Sequence, residues 1–267
     1  MKIGLGQIQI CWEDREGSLR KVEQCMNLLQ NERTDLFLLP EMSLTGFSMR
    51  TEYTKEQGET IGLARELADK YGMAVGIGWV KDAGERCENH YSLVSQEGTL
   101  LDYAKLHPFR YGGETQMFQG GTEIPVCRFG DFRIGVQICY DLRFPEPFQI
   151  LSRQADLILV PANWPASRRE HWDCLLRARA IENQVYVAGV NCAGRMEKQY
   201  YSGDSGIYRP DGSFLPAGKK ISIPDGCPEE VLLCYEMDCD VERYRSSFPT
   251  KEDRRENLYR KYYAGGN

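Results

Sequence analysis

The sequence predicts a single α/β domain. Three observations carry this reading. Strand-like and helix-like segments alternate along the chain, the run Leu36–Pro40 is apolar without a break, and no linker, repeat or low-complexity block divides the 267 residues. Interleaved strands and helices place helices on the faces of a sheet. A continuously apolar strand is one covered on both faces. A chain this long is enough for one or two domains and for a large core.

The elements follow in order. In Lys2–Ile10, Ile3, Leu5, Gln7 and Gln9 alternate with Gly4, Gly6, Ile8 and Ile10, which reads as a strand with one closely packed face. Leu19, Val22, Met26 and Leu29 recur at helical spacing and predict an amphipathic helix from about Ser18 to Asn31. Leu36–Pro40 is the covered strand. Ala64, Leu67, Ala68 and Tyr71 mark a second helix, and Met73–Val80 the strand after it. His90–Val94 and Leu100–Leu106 are further strands. Ile124–Phe129 and Phe132–Ile138 form a hairpin, because the two-residue loop Gly130-Asp131 suits a type II′ turn. Pro145 opens a helix running to about Gln154, since its missing N–H is harmless in a first turn. A strand at Leu157–Val160, a helix from about Ser167 to Asn183 and a strand at Tyr186–Asn191 come next. Gly206–Tyr208 and Val231–Tyr235 close the strand pattern. From Asp240 onward the tail is charged and aromatic, with no core pattern of its own.

Composition narrows the function classes. There are 33 basic and 39 acidic residues, a net charge of -6. No basic patch dominates, so neither nucleic acid nor an anionic membrane is expected as a partner. No apolar run approaches the ~20 residues of a membrane helix. The ten cysteines are scattered, with no CxxC pair and only three histidines. Zinc needs clustered ligands, so no metal is expected. Met1-Lys2-Ile3 runs into a strand pattern and not into an apolar leader stretch. The expectation is a cytoplasmic protein with reduced thiols, most of them acting as small core residues.

One thiol stands apart. Cys139 ends a strand and opens the polar, Pro-terminated turn Tyr140-Asp141-Leu142-Arg143-Phe144-Pro145. A thiol there is exposed and close to backbone N–H donors, which activate a nucleophile and can hold an oxyanion. A buried core cysteine is the competing reading. Glu41 follows the covered strand, where α/β sheets bind ligands and where partial burial makes a carboxylate a working base. Its alternatives are a loop or a helix-capping glutamate. Lys105 lies among apolar and aromatic residues at a strand end. It is placed to stabilise an oxyanion or a thiolate, unless it is a snorkelling surface lysine. His107 precedes Pro108 and reads as a structural hydrogen bonder. The pairs Gly112-Gly113 and Gly120-Gly121 make no phosphate-binding pattern.

Three contexts together resemble a known family. Leu38-Leu39-Pro40-Glu41-Met42-Ser43-Leu44-Thr45-Gly46, Tyr103-Ala104-Lys105-Leu106-His107 and Gly135-Val136-Gln137-Ile138-Cys139-Tyr140-Asp141-Leu142-Arg143-Phe144-Pro145 are similar, in order and context, to the Glu, Lys and Cys motifs of the nitrilase (carbon–nitrogen hydrolase) superfamily. Ala162-Asn163-Trp164-Pro165, His171-Trp172, Ala178–Gln184, Tyr186–Asn191, Tyr201–Ser205 and Tyr244–Pro249 extend the resemblance toward its omega-amidase-like branch. Cys192-Ala193 departs from that branch, where an arginine is expected after Asn191.

The resemblance implies a four-layer α-β-β-α sandwich that pairs into a homodimer or higher homo-oligomer, with the tail of residues 240–267 at the interface and no cofactor. It implies a thiol amidohydrolase that cleaves the terminal amide of 2-oxoglutaramate or 2-oxosuccinamate to the dicarboxylate and ammonia. In that scheme Glu41 is the base and Cys139 the nucleophile. Lys105 and the Tyr140 N–H hold the oxyanion, and Glu114 orients Lys105 and the amide. Arg143 is a candidate carboxylate receptor, with a pairing to Glu146 or a nearby carboxylate as the alternative. Phe109, Phe47 and Trp164 are candidates for the pocket wall, with core packing as the alternative. Two other functions stay open: the same chemistry on an N-carbamoyl compound, a deaminated peptide amide or a nitrile, and a catalytically silent binding subunit.

Overall fold

Two β-sheets lie face to face in the computed structural model, which describes residues 1–265. The first has eight strands. Seven follow the order Lys219–Ser222, Val231–Glu236, Lys2–Gln7, Leu36–Leu38, Ala74–Asp82, Cys87–Ser95 and Gly98–Ala104, and Lys55–Glu56 pairs beside Ala74–Asp82. The second has six, in the order Phe214–Leu215, Gly206–Tyr208, Tyr186–Asn191, Leu157–Ala162, Phe132–Val136 and Val126–Phe129.

Three buried clusters show why the layers stack. Ile3, Leu5, Leu36, Leu38, Tyr91 and Leu93 of the first sheet meet Phe132, Ile134, Leu157, Leu159 and Val190 of the second. The opposite face of the first sheet (Phe37, Val75, Ile77) packs on Val22, Met26 and Leu29 of the helix Arg15–Gln30 and on Ala64, Leu67 and Ala68 of the helix Glu59–Tyr71. The outer face of the second sheet (Ile158, Val160, Val187) packs on Phe148 and Leu151 of the helix Pro145–Leu151 and on Trp172, Leu176 and Ala180 of the helix Arg169–Asn183. The result is helix, sheet, sheet, helix, the four layers expected.

Strand direction decides where the loops emerge. Lys2–Gln7, Leu36–Leu38 and Ala74–Asp82 are parallel. Cys87–Ser95 is antiparallel to Ala74–Asp82, and Gly98–Ala104 is antiparallel to Cys87–Ser95. Gly98–Ala104 therefore runs the same way as Leu36–Leu38, and Glu41 and Lys105 both follow the carboxyl ends of their strands on one side of the first sheet. In the second sheet Phe132–Val136, Leu157–Ala162 and Tyr186–Asn191 are parallel. Cys139 and Asn163 thus follow two neighbouring carboxyl ends, the usual place for a ligand crevice.

Several elements differ from the sequence reading. The first helix starts at Arg15 because the Asp14 carboxylate caps it, accepting from the Gly17 N–H at 2.9 Å. The strand expected over Phe132–Ile138 ends at Val136, since the chain there turns toward the short 3-10 helix Cys139–Arg143. The hairpin turn is as read, with Gly130 supplying the left-handed residue at φ 56°. The tail holds two helices, Val241–Ser247 and Glu256–Tyr263. Arg245 anchors it by donating to the carbonyls of Ser152 at 3.0 Å and Ala155 at 3.2 Å. Gly266 and Asn267, the end of the expected interface tail, lie outside the described residues. All ten cysteines are free thiols, and Cys174 and Cys239 are exposed, so those two are not core residues.

Candidate active site

Glu41 sits on a segment laced to the strand Ala74–Asp82. The Ser43 N–H donates to the Gly78 carbonyl at 2.9 Å, and the Gly78 N–H donates back to Ser43 Oγ at 2.8 Å. A Cβ on Gly78 would lie 2.3 Å from the Met42 nitrogen, so only glycine lets the Glu41 segment come this close.

Lys105 closes a buried charge cluster with two glutamates. Its Nζ donates to Glu41 Oε1 at 2.9 Å and to Glu114 Oε1 and Oε2 at 3.1 and 2.9 Å. The Asn89 amide donates to Glu41 Oε1 at 2.8 Å and to Glu114 Oε1 at 3.1 Å. The Phe109 N–H donates to Glu114 Oε2 at 2.5 Å. All three charged side chains are 1% exposed or less, so water contributes little screening. Burial alone would lower the Lys105 pKa, but the Glu114 and Glu41 carboxylates outweigh it and hold the ammonium well above its ordinary range. Burial pushes Glu114 up, with Lys105 opposing and Glu41 reinforcing. Such a cluster is a weak contributor to stability, and perturbed groups of this kind gather at functional sites.

Cys139 takes a left-handed backbone conformation, φ 45°. A non-glycine residue there is strained and is held by its surroundings. Asp141 does the holding. Its buried carboxylate accepts from the Ile138 N–H at 3.0 Å, the His107 N–H at 2.9 Å and the Tyr103 hydroxyl at 2.8 Å, and it lies 2.8 Å from His107 Nδ1. His107 is therefore the structural hydrogen bonder it reads as, stacked on Phe144 at 3.9 Å. Burial pushes the Cys139 thiol well above its ordinary value, and the Glu41 charge pushes it further. Lys105 opposes that shift, as does the N–H of Asn163. Burial and the Glu41 charge thus both favour the protonated thiol.

Cys139, Lys105 and Asn163 line one cavity of about 470 Å³. Phe47, Phe109 and Trp164 form its walls, as do Tyr140, Arg143 and Arg168. Glu41 and Glu114 stand behind that surface. Phe47 lies under the Lys105 ammonium, 5.3 Å from Nζ to ring centroid. Arg143 does not pair with Glu146 or with any other carboxylate among the described residues. Its guanidinium lies over the Trp164 ring at 4.8 Å and the Tyr140 ring at 6.0 Å, because the aromatic wall offers it a face.

Asn89, Asp141, Asn163 and Arg168 were not singled out from the sequence. Asn163 and Asp141 lie inside the quoted motifs, so proximity to the candidate residues was an available signal. Asn89 carries none: it reaches Glu41 only because Ala74–Asp82 pairs with both Leu36–Leu38 and Cys87–Ser95. The hairpin Ala193–Met196 and Gln199–Ser202, whose Met196, Glu197, Gln199 and Tyr201 line the cavity, was also missed.

Comparison with known proteins agrees with this geometry. The carbon–nitrogen hydrolase family profile matches residues 2–222. The chain is 38% identical over 255 residues to omega-amidase YafV of Yersinia enterocolitica, covering 95% of this chain and 96% of that protein. It is 30% identical over 237 residues to a 2-oxoglutaramate amidase of Bacillus subtilis, covering 86% and 88%. Among solved structures it resembles a CN-hydrolase superfamily protein of Xanthomonas campestris that carries an arsenic adduct in its active site. That match has a TM-score of 0.84 at 29% identity over 95% of this chain and 97% of the other. A Nesterenkonia amidase shares the fold, with a TM-score of 0.82 at 24% identity over 98% and 97%. The family profile, the relatives and the two-sheet sandwich agree: this chain belongs to the carbon–nitrogen hydrolase (nitrilase) superfamily and is an amidase-type hydrolase.

Proposed function

We propose that the chain hydrolyses the terminal amide of short 2-oxo dicarboxylic acid monoamides, 2-oxoglutaramate and 2-oxosuccinamate, through a thioester on Cys139. The observation that carries this reading is the buried Glu41–Lys105–Glu114 cluster set directly behind the cavity that Cys139 lines. The relatives named omega-amidase and 2-oxoglutaramate amidase support the substrate class.

The steps follow from the neighbours of each group. Glu41 takes the thiol proton as Sγ attacks the amide carbon, because a thiol whose pKa burial raises needs a base to activate it. The carbonyl electrons move onto oxygen, and the oxyanion is held by Lys105 Nζ and the Tyr140 N–H. That N–H lies in the first turn of Cys139–Arg143, where backbone donors have no intrahelical partner. Glu41 returns the proton to the nitrogen, the C–N bond breaks and ammonia leaves. Water then gives a proton to Glu41 and its oxygen to the thioester carbon. The C–S bond breaks, the thiol regains the proton, and the dicarboxylate departs. Glu114 keeps Lys105 aimed throughout.

The tail supports a second part of the reading. Phe248, Tyr259, Tyr262 and Tyr263 are exposed on it, and a second copy of the chain would cover them. Sedimentation of the full chain tests this: a dimer supports it and a monomer at micromolar concentration removes it.

Ammonia release from 2-oxoglutaramate, compared with a nitrile, an N-carbamoyl amino acid and a deaminated peptide amide, tests the substrate. The reading requires 2-oxoglutaramate to be preferred and Cys139→Ala to be inactive. Preference for another member of the panel overturns the substrate class.

A further inference from the structure

Among the described residues, two cations of the cavity have no carboxylate partner. Lys105 is committed to Glu41 and Glu114, and Arg50 is paired with Glu13. Arg143 and Arg168 also line the cavity, and neither has a carboxylate within ion-pair distance among the described residues. The contrast with the next residue is direct. Arg169 places Nε 2.8 Å from Asp204 Oδ1, whereas Arg168 turns over the Phe109 ring at 5.6 Å.

The two guanidiniums flank the aromatic wall. Arg143 lies on Trp164, and Arg168 follows Trp164 by four residues, its carbonyl accepting from Trp164 Nε1 at 2.8 Å. They are close enough to repel. Burial lowers the Arg143 pKa, and the charge of Arg168 lowers it further. Among the described residues the only carboxylate lining the cavity is Glu197, exposed at the tip of the Ala193–Met196 and Gln199–Ser202 hairpin, and it pairs with neither arginine. Arg143 faces only His171 Nδ1, at 3.4 Å, so two half-buried guanidiniums without a carboxylate partner among the described residues suit an anion, since a guanidinium fork matches a carboxylate.

We propose that Arg168, together with Arg143, receives the carboxylate of the substrate distal to the scissile amide and so determines that the enzyme takes anionic monoamides. This rests on the amidase reading above and assigns its specificity to a named side chain. The same positive field disfavours an ammonium beside that carboxylate. A 2-oxo or unsubstituted acid is thus accepted ahead of the corresponding amino acid amide, glutamine or asparagine.

The test compares wild type, Arg168→Gln and Arg168→Lys on glutaramate, the monoamide of pentanedioic acid, and on neutral pentanamide of the same chain length. Calorimetric binding of glutarate is measured beside them. Losing one charge-assisted contact predicts a KM for glutaramate raised about tenfold to a hundredfold in Arg168→Gln, with kcat nearly unchanged. Glutarate binding weakens by a similar factor, pentanamide hydrolysis falls by a much smaller one, and Arg168→Lys recovers part of the loss on glutaramate. An equal loss on both amides, or no change on glutaramate and glutarate, overturns the assignment of Arg168. A wild type that prefers pentanamide and does not bind glutarate overturns the anionic substrate itself, and the receptor with it. The glutarate arm reads the receptor even if turnover of both amides is slow, and an unchanged unfolding temperature separates a specificity effect from a folding one.

Discussion

Asn163 holds Glu41 at two points. Its N–H donates to Glu41 Oε2 at 2.9 Å, and its side-chain amide donates to the Glu41 carbonyl at 2.6 Å. Glu41 leaves the first sheet and Asn163 the second, so this pair ties the two halves of the sandwich across the site. Asn163→Ala keeps the backbone donor and removes the side-chain tether. The expected outcome is a fall in kcat of about tenfold, the size of one net hydrogen bond, with a smaller change in KM. Steady-state kinetics on the preferred amide check it.

Lys105 neutralises two buried carboxylates, so its removal leaves like charges facing each other. Lys105→Met is expected to abolish turnover and to lower stability by about 3–5 kcal/mol. Adding Glu114→Gln removes one of the stranded charges. The double variant should therefore be more stable than Lys105→Met alone while remaining inactive. Urea unfolding of the three proteins measures this.

Cys139 titrates above its ordinary value because of burial and the Glu41 charge. A raised thiol pKa means the thiolate is scarce at neutral pH and grows through the alkaline range. Alkylation by iodoacetamide should accelerate with pH, with no plateau near neutrality. Glu41→Gln deletes a negative charge beside the sulfur and leaves Lys105 in place, so its alkylation profile shifts to lower pH. The same variant loses amide turnover because the proton carrier is gone. Labelling of the Cys139 peptide across pH reads both effects.

Asp141 accepts three hydrogen bonds and faces His107 while holding Cys139 in its strained turn. Asp141→Ala strands those donors in a buried setting. A loss of about 2–4 kcal/mol is expected, together with a fall in kcat as the turn relaxes. Asp141→Asn retains part of the acceptor capacity and should fall between the two. Denaturant midpoints order the series.

The legible part of this protein was its periodic and motif-bearing part. Leu36–Pro40 and the residues around Cys139 marked covered strands and a turn, Glu41, Lys105 and Cys139 were picked out by local context, and Glu114 by the family resemblance alone. The fold brings those four around one cavity. Partners supplied by distant chain were not legible: Asn89 meets Glu41 only through strand pairing, and Asn163 only through sheet stacking. The cavity-lining hairpin escaped notice because its turn, Glu197-Lys198, has no glycine or asparagine, and Glu197 itself takes φ 48°. The last helix, Glu256–Tyr263, buries no residue, so no core pattern marked it. Arg143 stacks on aromatics where a carboxylate partner was expected, a preference set by the wall that tertiary packing builds.

Every step of the hydrolysis passes through a thioester on Cys139, which can be trapped. Rapid acid quench during turnover of 2-oxoglutaramate, followed by peptide mass spectrometry, should find the 2-oxoglutaryl group on the peptide containing Cys139. One equivalent of ammonia should be released per acylated chain. An acyl group on another cysteine, or undiminished turnover in Cys139→Ala, would contradict the account.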